Sequence, residues 1–190
     1  MKLVLASHNQ GKLAELRAIL EPAVPNLELV GYDGPEPIED GVTYLENALI
    51  KARAASKHTG LPAIADDSGL AVEILGGSPG IFSAGWAGGR DNLANLRLLL
   101  SQLKDVKIEQ RAAAFICTIV LVDGEDEISF TGFWSGSVAT EARGTNGHGY
   151  DPIFIPEGFE KTSAELEPEV KNALSHRAQA VGQLIAYLNV

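Results

Sequence analysis

The stretch Leu3-Val4-Leu5-Ala6-Ser7-His8-Asn9-Gln10-Gly11-Lys12 decides the fold. Its four apolar residues predict a buried strand, and the polar residues after them predict a loop. The loop leads into a segment that places four apolar side chains on one helical face: Leu13, Leu16, Ile19 and Leu20. A strand, a loop and a helix in this order are typical of proteins that combine helices with a sheet.

The remaining sequence extends this α/β pattern. Thr43 and Glu46 have capping-box spacing, and the apolar residues after them repeat with helical period, which predicts a helix over residues 43–57. Residues 63–65 predict a short strand that stops at Asp66-Asp67-Ser68-Gly69. Residues 112–122 and 128–134 flank a turn and predict a hairpin. We therefore expect an α/β fold with a mixed twisted sheet, flanking helices and a cleft lined by loops at strand ends.

Composition narrows the class of protein. With 190 residues and 45% hydrophobic residues, the chain can bury a core as one domain or as two closely packed lobes. A net charge of -10 argues against a nucleic-acid binder, which needs a broad positive field. The single cysteine, Cys117, excludes an intrachain disulfide, and the apolar run near Met1 is too short for a signal peptide or a membrane span. These features predict a soluble cytoplasmic protein with neither a nucleic-acid nor a membrane partner.

The loop of residues 7–12 is the first candidate site. A strand-to-helix turn directs free backbone N–H groups and the positive end of the helix dipole at an anion, and Lys12 adds a full charge. The spacing of a P-loop is absent. An ordinary capped helix start is the alternative, and the loop taken alone favours it.

Carboxylates form the second candidate site. Asp66 and Asp67 are adjacent acids that repel each other unless a cation holds them, so the pair suits Mg²⁺ or the activation of an attacking water. A polar turn accounts for the same residues equally well. Glu39 lies just before the predicted helix and is a further candidate metal ligand, although acids at this position more often complement the helix dipole.

Basic residues near the carboxyl end of the chain form the third candidate site. Lys171 and Arg177 are six residues apart, about 240° around a straight helix, so they point in different directions. If both contact one ligand, the helix must break between them, and Ser175 is a suitable cap for a new helix. A solvated helix face is the alternative. His8, His58 and His148 have no spacing typical of a zinc site.

Six motifs occur in order along the chain: Ser7-x-Asn9-x-x-Lys12, Glu39-Asp40-Gly41-x-Thr43 followed by Glu46-Asn47-Ala48, Ala65-Asp66-Asp67-Ser68-Gly69-Leu70, Leu75-Gly76-Gly77-x-Pro79-Gly80, Gly149-Tyr150-Asp151-Pro152-Ile153-Phe154, and Lys171-Asn172-Ala173-x-Ser175-His176-Arg177. Together they closely resemble the inosine triphosphate pyrophosphatase family, which removes non-standard purine nucleoside triphosphates. The resemblance covers nearly the whole chain. It implies cleavage between the α- and β-phosphates with Mg²⁺, releasing a nucleoside monophosphate and pyrophosphate.

The resemblance also implies roles for individual residues. Glu39 and Asp67 are expected to bind Mg²⁺, with Asp67 accepting the proton of the attacking water and Asp66 supporting it. The triphosphate is expected at residues of the first loop: Ser7, His8, Asn9, Gln10, Gly11 and Lys12. The rest of the nucleotide is expected at a second set: Ser68, His148, Gly149, Tyr150, Asp151, Lys171, His176 and Arg177. The family commonly has phenylalanine where this chain has His148, although an imidazole can also stack on a base.

The family fold is an elongated α/β structure with two lobes around a central cleft, usually a homodimer. The resemblance therefore implies one domain over residues 1–190, made of two lobes, and a homodimer that takes a purine nucleoside triphosphate such as inosine, deoxyinosine or xanthosine triphosphate. Two other functions are compatible with the same residues. One is a phosphohydrolase that removes only the terminal phosphate, and the other is a nucleotide-sensing module that binds without turnover.

Overall fold

The computed structural model describes the whole chain, Met1–Val190. Its strands are β1 (Lys2–Leu5), β2 (Glu28–Gly31), β3 (Ala63–Val72), β4 (Ala112–Asp123), β5 (Asp126–Val138) and β6 (Phe154–Pro156). Its helices are α1 (Gln10–Ala23), α2 (Tyr44–Thr59), α3 (Asn92–Gln102), α4 (Pro168–Leu174) and α5 (His176–Leu188). None of the helices is both long enough and apolar enough to cross a membrane.

The six strands form one mixed sheet in the order β2-β1-β3-β4-β5-β6. Strand β1 pairs in parallel with β2 and with β3, whereas β5 and β6 are antiparallel. The first part of the chain supplies the parallel pairs because helices α1 and α2 connect those strands, as a parallel crossover requires. The predicted mixed α/β sheet with flanking helices is confirmed, as is the hairpin formed by β4 and β5.

The chain divides into two compact units, and the first comprises Met1–Asp67, Thr118–Thr131 and Ala180–Val190. One cluster of its buried side chains comes from one face of α2 and from the strands beside it. Ala48 and Ala52 of α2 are fully buried and pack with Ala65, Val120 and Val122. These small side chains let the helix lie close to the sheet, which places polar residues of the same helix near Asp67 of β3.

The second unit comprises Ser68–Cys117 and Gly132–Gln179. Its core is more aromatic, with Phe115, Trp134 and Phe154 packed among the leucines of α3. The rings of Phe115 and Phe154 meet edge to face with their centroids 4.6 Å apart. This aromatic core supports the segment of residues 147–154, which carries several of the predicted nucleotide-binding residues.

The predicted α2 helix is confirmed, with Thr43 as its cap. The Thr43 side chain accepts a hydrogen bond from the backbone N–H of Glu46, and the helix begins at the next residue, Tyr44. One strand prediction is wrong. Strand β3 does not stop at Asp66 but continues through Asp67, Ser68 and Gly69 to Val72. Lysines from α1 and α2 neutralise the two acids, so these carboxylates are tolerated inside a strand.

Candidate active site

Residues 7–12 follow β1 and have the geometry of a capped helix start, in which Gln10, Gly11 and Lys12 of the predicted loop already form the first turn of α1. The Asn9 side chain accepts a hydrogen bond from the backbone N–H of Lys12 at 3.0 Å, and the backbone N–H of Asn9 donates to the Ser7 hydroxyl at 3.2 Å. Asn9, Gln10 and Gly11 are exposed at this end of the helix. The exposed, positively polarised helix start is therefore accessible to an anion.

The His8 side chain of this loop is held in place by three contacts. Its ring stacks on Tyr32 with centroids 5.6 Å apart, and its Nε2 lies 2.8 Å from the carbonyl oxygen of Gly34. Its Nδ1 lies 3.2 Å from a carboxylate oxygen of Glu36. These contacts hold the loop against the segment that follows β2.

Lys12 brings the loop to the first carboxylate of β3. Its ammonium group contacts Asp66 Oδ1, and the Asp66 side chain is only 7% exposed. Burial of a carboxylate is unfavourable without a partner, and the lysine supplies one. Two motifs separated by more than fifty residues, the loop and the acidic pair, thus meet in the first unit.

A second lysine, Lys51, connects the other two predicted carboxylates. Its ammonium nitrogen lies 2.9 Å from Glu39 Oε2 and 3.6 Å from Asp67 Oδ1. The Lys51 side chain is 17% exposed, so this charge is screened little by solvent. A single positive charge therefore sits between the two residues that the sequence predicts as metal ligands.

The surroundings of Asp67 alter its protonation. Burial raises the pKa of Asp67, and the nearby charges of Glu39 and Asp66 raise it further. The Lys51 charge and a hydrogen bond from Asn47, at 3.4 Å from Oδ2, act in the opposite direction. A carboxylate with a raised pKa is a better proton acceptor than an ordinary aspartate.

The donor chemistry of this cluster fits a hard divalent cation. Glu39 and Asp67 offer carboxylate oxygens around one point of positive charge, and no group of three or more His, Cys, Asp or Glu side chains is placed to hold a metal ion. Mg²⁺ takes one or two carboxylates and completes its shell with water and substrate phosphates. Two acids are thus a sufficient protein contribution for Mg²⁺, though not for a structural zinc ion.

Sequence reasoning missed three residues of this cluster: Tyr44, Asn47 and Lys51. All lie on α2 at positions i, i+3 and i+7, which share one face of a helix. The same spacing was available in the sequence as a polar stripe beside the apolar stripe of Ala48, Ala52 and Ala55. Such a stripe resembles an ordinary solvated helix face until the fold shows that α2 turns it towards β3.

In the second unit, Asp151 organises the predicted nucleotide-binding segment. Its Oδ2 accepts hydrogen bonds from the backbone N–H of His148, at 2.8 Å, and from the Lys171 ammonium group, while its Oδ1 accepts one from Ser163 at 2.8 Å. Gly147 has a φ of 79°, and a side chain there would collide with Asp151 and Lys171. The segment from Gly147 to Asp151 is therefore locked in one conformation.

Tyr150 and His176 are fixed in the same unit. The Tyr150 hydroxyl donates to the backbone oxygen of Ser83 at 2.9 Å, and burial raises the pKa of Tyr150 to about 12. The His176 ring stacks on Phe115 at a centroid distance of 4.9 Å. Gly149 and Ser68 belong to this unit as well.

The predicted break between Lys171 and Arg177 is confirmed. Helix α4 ends at Leu174 and α5 begins at His176, with Ser175 between them in an extended conformation. The Ser175 hydroxyl accepts a hydrogen bond from the backbone N–H of Ala178 at 3.1 Å and so caps α5. The break frees Lys171 and Arg177 from the 240° separation of a single straight helix.

The predicted site residues thus form two sets. The first unit brings together the loop of residues 7–12, Glu39, Asp66 and Asp67, and adds Lys51. The second unit brings together His148, Asp151 and Lys171 through direct contacts. Each set combines residues that are distant in sequence, as a binding site requires.

Comparison with known proteins identifies the family. A sequence model of the Ham1 family matches residues 3–187. The chain belongs to the Ham1 family. A protein of Leifsonia xyli subsp. xyli named dITP/XTP pyrophosphatase is 56% identical over 190 residues, which cover 99% of this chain and 96% of that protein. The resemblance drawn from the six motifs is therefore confirmed.

Solved structures of Ham1 proteins agree with this assignment. A HAM1 protein from Coxiella burnetii is 41% identical and superposes with a TM-score of 0.93, covering 99% of this chain and 98% of that one. A protein of Mycobacterium abscessus described as nucleoside-triphosphatase / dITP/XTP pyrophosphatase is 48% identical, with a TM-score of 0.84, and the match covers 97% of this chain and 98% of that one.

Proposed function

We propose that this Ham1 protein is an enzyme that hydrolyses non-standard purine nucleoside triphosphates, among them dITP, ITP and XTP, to the nucleoside monophosphate and pyrophosphate. Membership of the Ham1 family and the names of its relatives support the reaction. The single observation that carries the proposal is the pair of carboxylates, Glu39 and Asp67, on either side of the Lys51 ammonium group.

The charge balance of the first unit suits a metal-bound polyphosphate. Three carboxylates (Glu39, Asp66 and Asp67) meet two ammonium groups (Lys12 and Lys51), which leaves one net negative charge. A bare triphosphate would be repelled by that excess. A divalent cation bound with the substrate reverses the sign, so the cluster is suited to a metal–nucleotide complex and not to a free anion.

The residues of the first unit divide the work between binding and proton transfer. Lys12 and the backbone N–H groups of the loop that contains Ser7 and Asn9 hold the triphosphate oxygens. Asp67 accepts the proton of the water that attacks phosphorus, because its raised pKa makes it a stronger base. Asp66, held by Lys12, keeps that lysine and the neighbouring carboxylate in place. His8 holds the loop in contact with residues 31–36. Gln10 and Gly11 lie exposed at the edge of the triphosphate-binding loop.

Glu39 and Asp67 are the residues that would hold Mg²⁺. When bound, the ion neutralises phosphate charge and lowers the pKa of a bound water. Lys51 occupies the region between the same two carboxylates in the free protein and balances part of their charge.

The second set of residues takes the remainder of the nucleotide in this proposal. This pocket is formed by Ser68, His148, Gly149, Tyr150, Asp151, Lys171, His176 and Arg177, and Tyr150 with its neighbours frames the base. Hydrogen-bond donors that face the 6-keto oxygen of hypoxanthine or xanthine would be left unpaired by the 6-amino group of adenine, at a cost of about 1–3 kcal/mol for each group. The hydrogen bonds of Asp151 hold this segment in one conformation, which favours such discrimination because a fixed site cannot adapt to the wrong base.

Product analysis tests the reaction. The protein is incubated with Mg²⁺ and dITP in water enriched in oxygen-18, and the products are resolved by phosphorus NMR and mass spectrometry. We expect deoxyinosine monophosphate that carries the heavy oxygen, together with unlabelled pyrophosphate. Orthophosphate and a nucleoside diphosphate would identify a terminal phosphohydrolase, and unchanged dITP after long incubation would identify a binding module without turnover. Parallel reactions with ITP, XTP, ATP and GTP measure the preference for the base.

We further propose that the enzyme is a single functional domain over residues 1–190 that acts in the cytoplasm as a homodimer. The resemblance supports the dimer, and the net charge of -10 supports the absence of a nucleic-acid partner. Sedimentation equilibrium of the purified chain tests the dimer. A molar mass near 20.1 kDa at micromolar concentration would contradict it, because that is the mass of one chain.

A further inference from the structure

The hydroxyl group of Tyr44 is inaccessible to solvent and has no hydrogen-bond partner. Tyr44 is the first residue of α2, and its ring is half-buried. A buried hydroxyl that lacks a partner destabilises the folded state, because it loses its hydrogen bonds with water and gains none with the protein. Such a group in a folded protein calls for an explanation, and a ligand that supplies the missing partner is one.

The position of Tyr44 on α2 indicates where that partner binds. Tyr44, Asn47 and Lys51 follow one another at i, i+3 and i+7, so they share the helix face that is turned towards Asp67. Asn47 and Lys51 approach different oxygens of Asp67, Oδ2 and Oδ1 respectively. The third residue of the stripe is the one whose polar group has no protein partner, although it too lies within reach of the Asp67 charge.

The Tyr44 hydroxyl is suited to donate a hydrogen bond, because it stays protonated. Burial raises the pKa of Tyr44, and the Asp67 charge raises it further, so the hydroxyl keeps its proton throughout the neutral range. A protonated phenol hydroxyl that has no partner in the protein needs an acceptor. The ligand expected in this cluster is a polyphosphate, whose oxygens are strong acceptors.

We propose that Tyr44 is a substrate-binding residue, whose hydroxyl donates a hydrogen bond to a phosphate oxygen of the triphosphate beside Asp67. This inference rests on the proposed function for the identity of the nucleotide, but its chemistry requires only a polyphosphate. The stripe on α2 thereby supplies three different contacts: an amide and an ammonium group to Asp67, and a hydroxyl to the ligand.

The test compares three variants that each remove one tyrosine hydroxyl from the first unit. Tyr44→Phe removes the unpartnered group, so the melting temperature of the free protein is expected to stay the same or rise. Tyr32→Phe removes a hydroxyl that donates to the backbone oxygen of Pro35 at 2.9 Å, so the melting temperature is expected to fall. Tyr187→Phe, on an exposed tyrosine, controls for the substitution itself.

Ligand binding is measured by calorimetry with inorganic tripolyphosphate, with and without Mg²⁺, and turnover is measured with dITP. For Tyr44→Phe we expect a loss of roughly tenfold in tripolyphosphate affinity and in kcat/KM, as for one hydrogen bond to a charged oxygen. Unchanged affinity and kcat/KM would overturn the proposal, and so would a fall in the melting temperature of the free protein, since the hydroxyl would then have a partner without ligand. If the wild-type protein releases no pyrophosphate, the proposed function fails, whereas the tripolyphosphate measurement still decides the role of Tyr44.

Discussion

The two ionic clusters described above have their charges paired to different degrees. In the second unit, Asp151 has one lysine, one hydroxyl and one backbone N–H as partners, so its charge is matched and both its oxygens are engaged. In the first unit, three carboxylates share two lysines, and the buried Tyr44 hydroxyl has no partner. The first cluster gains partners when a cation and a polyphosphate bind, whereas the second is complete without a ligand. The contrast separates a cluster with charge left to be balanced by a ligand from one whose charges are already paired within the protein.

The largest expected effect is at Asp67. We expect Asp67→Asn to lower kcat by roughly 10³-fold, since it removes the proton acceptor and a carboxylate ligand. Phosphorus NMR of pyrophosphate release measures the loss, and Asp126→Asn, an exposed aspartate of the same unit, is the matched control. Activity of Asp67→Asn within tenfold of the wild type would contradict the role of Asp67.

The same variant tests the electrostatic origin of that role. Burial raises the pKa of Asp67, so the folded state disfavours its ionised form. The stability that this group contributes is present below its unfolded pKa and is lost as the pH rises through the raised folded value. At neutral pH without metal, Asp67→Asn is therefore expected to melt at the same temperature as the wild type or higher. A clearly lower melting temperature would show that the ion pair with Lys51 outweighs the cost of burial.

The second cluster is expected to respond in stability, because its charges are already paired within the protein. Asp151→Ala leaves the Lys171 ammonium group buried without its carboxylate, which costs about 3–5 kcal/mol of unfolding free energy. The exposed pair Lys104–Asp105 provides the control, because Asp105→Ala is expected to cost less than about 1 kcal/mol. Urea denaturation measures both changes. Equal and small losses would mean that Asp151 is no more than a surface charge.

Local and tertiary interactions explain which parts of this contrast could be predicted. The cap at Thr43 and the break at Ser175 depend on neighbours within four residues, so the sequence contained all the relevant information. The course of β3 through Asp66 and Asp67 could not be predicted from neighbouring residues. Two adjacent acids disfavour a strand unless cations lie close to them, and here Lys12 and Lys51 approach from two helices. Tertiary contacts override local preference at this point, and it is also where the charges of the candidate site meet.

The role of Lys51 could not be predicted for the same reason. A lysine in the middle of an amphipathic helix is ordinarily solvated, and its contacts with Glu39 and Asp67 join segments that lie 12 and 16 residues away in the chain. The assignment of Asp67 to metal and water follows from the family resemblance, and the structure adds the electrostatic reason why that carboxylate is suited to it.

Lys51→Gln is expected to change metal binding more than stability. Removing the ammonium group abolishes a competitor for the two carboxylates, so Mg²⁺ binds the free protein roughly tenfold more tightly, the size of one partly screened charge interaction. Calorimetric titration with Mg²⁺ measures the change. Lys57→Gln, on an exposed lysine of the same helix, is the control. Weaker Mg²⁺ binding in Lys51→Gln would show that the lysine orients the carboxylates and does not compete for them.

The smallest expected effect is at the cap of α5. Ser175→Ala removes the acceptor for the backbone N–H of Ala178, which costs about 1 kcal/mol of unfolding free energy. Because the cap holds the helix start that carries His176 and Arg177, we expect KM for dITP to rise more than kcat falls. Ser101→Ala, on an exposed serine inside α3, is expected to change neither stability nor KM measurably. If Ser175→Ala lowers stability with KM unchanged, the cap serves the fold alone, and the break in the helix has no part in positioning the basic residues for the nucleotide.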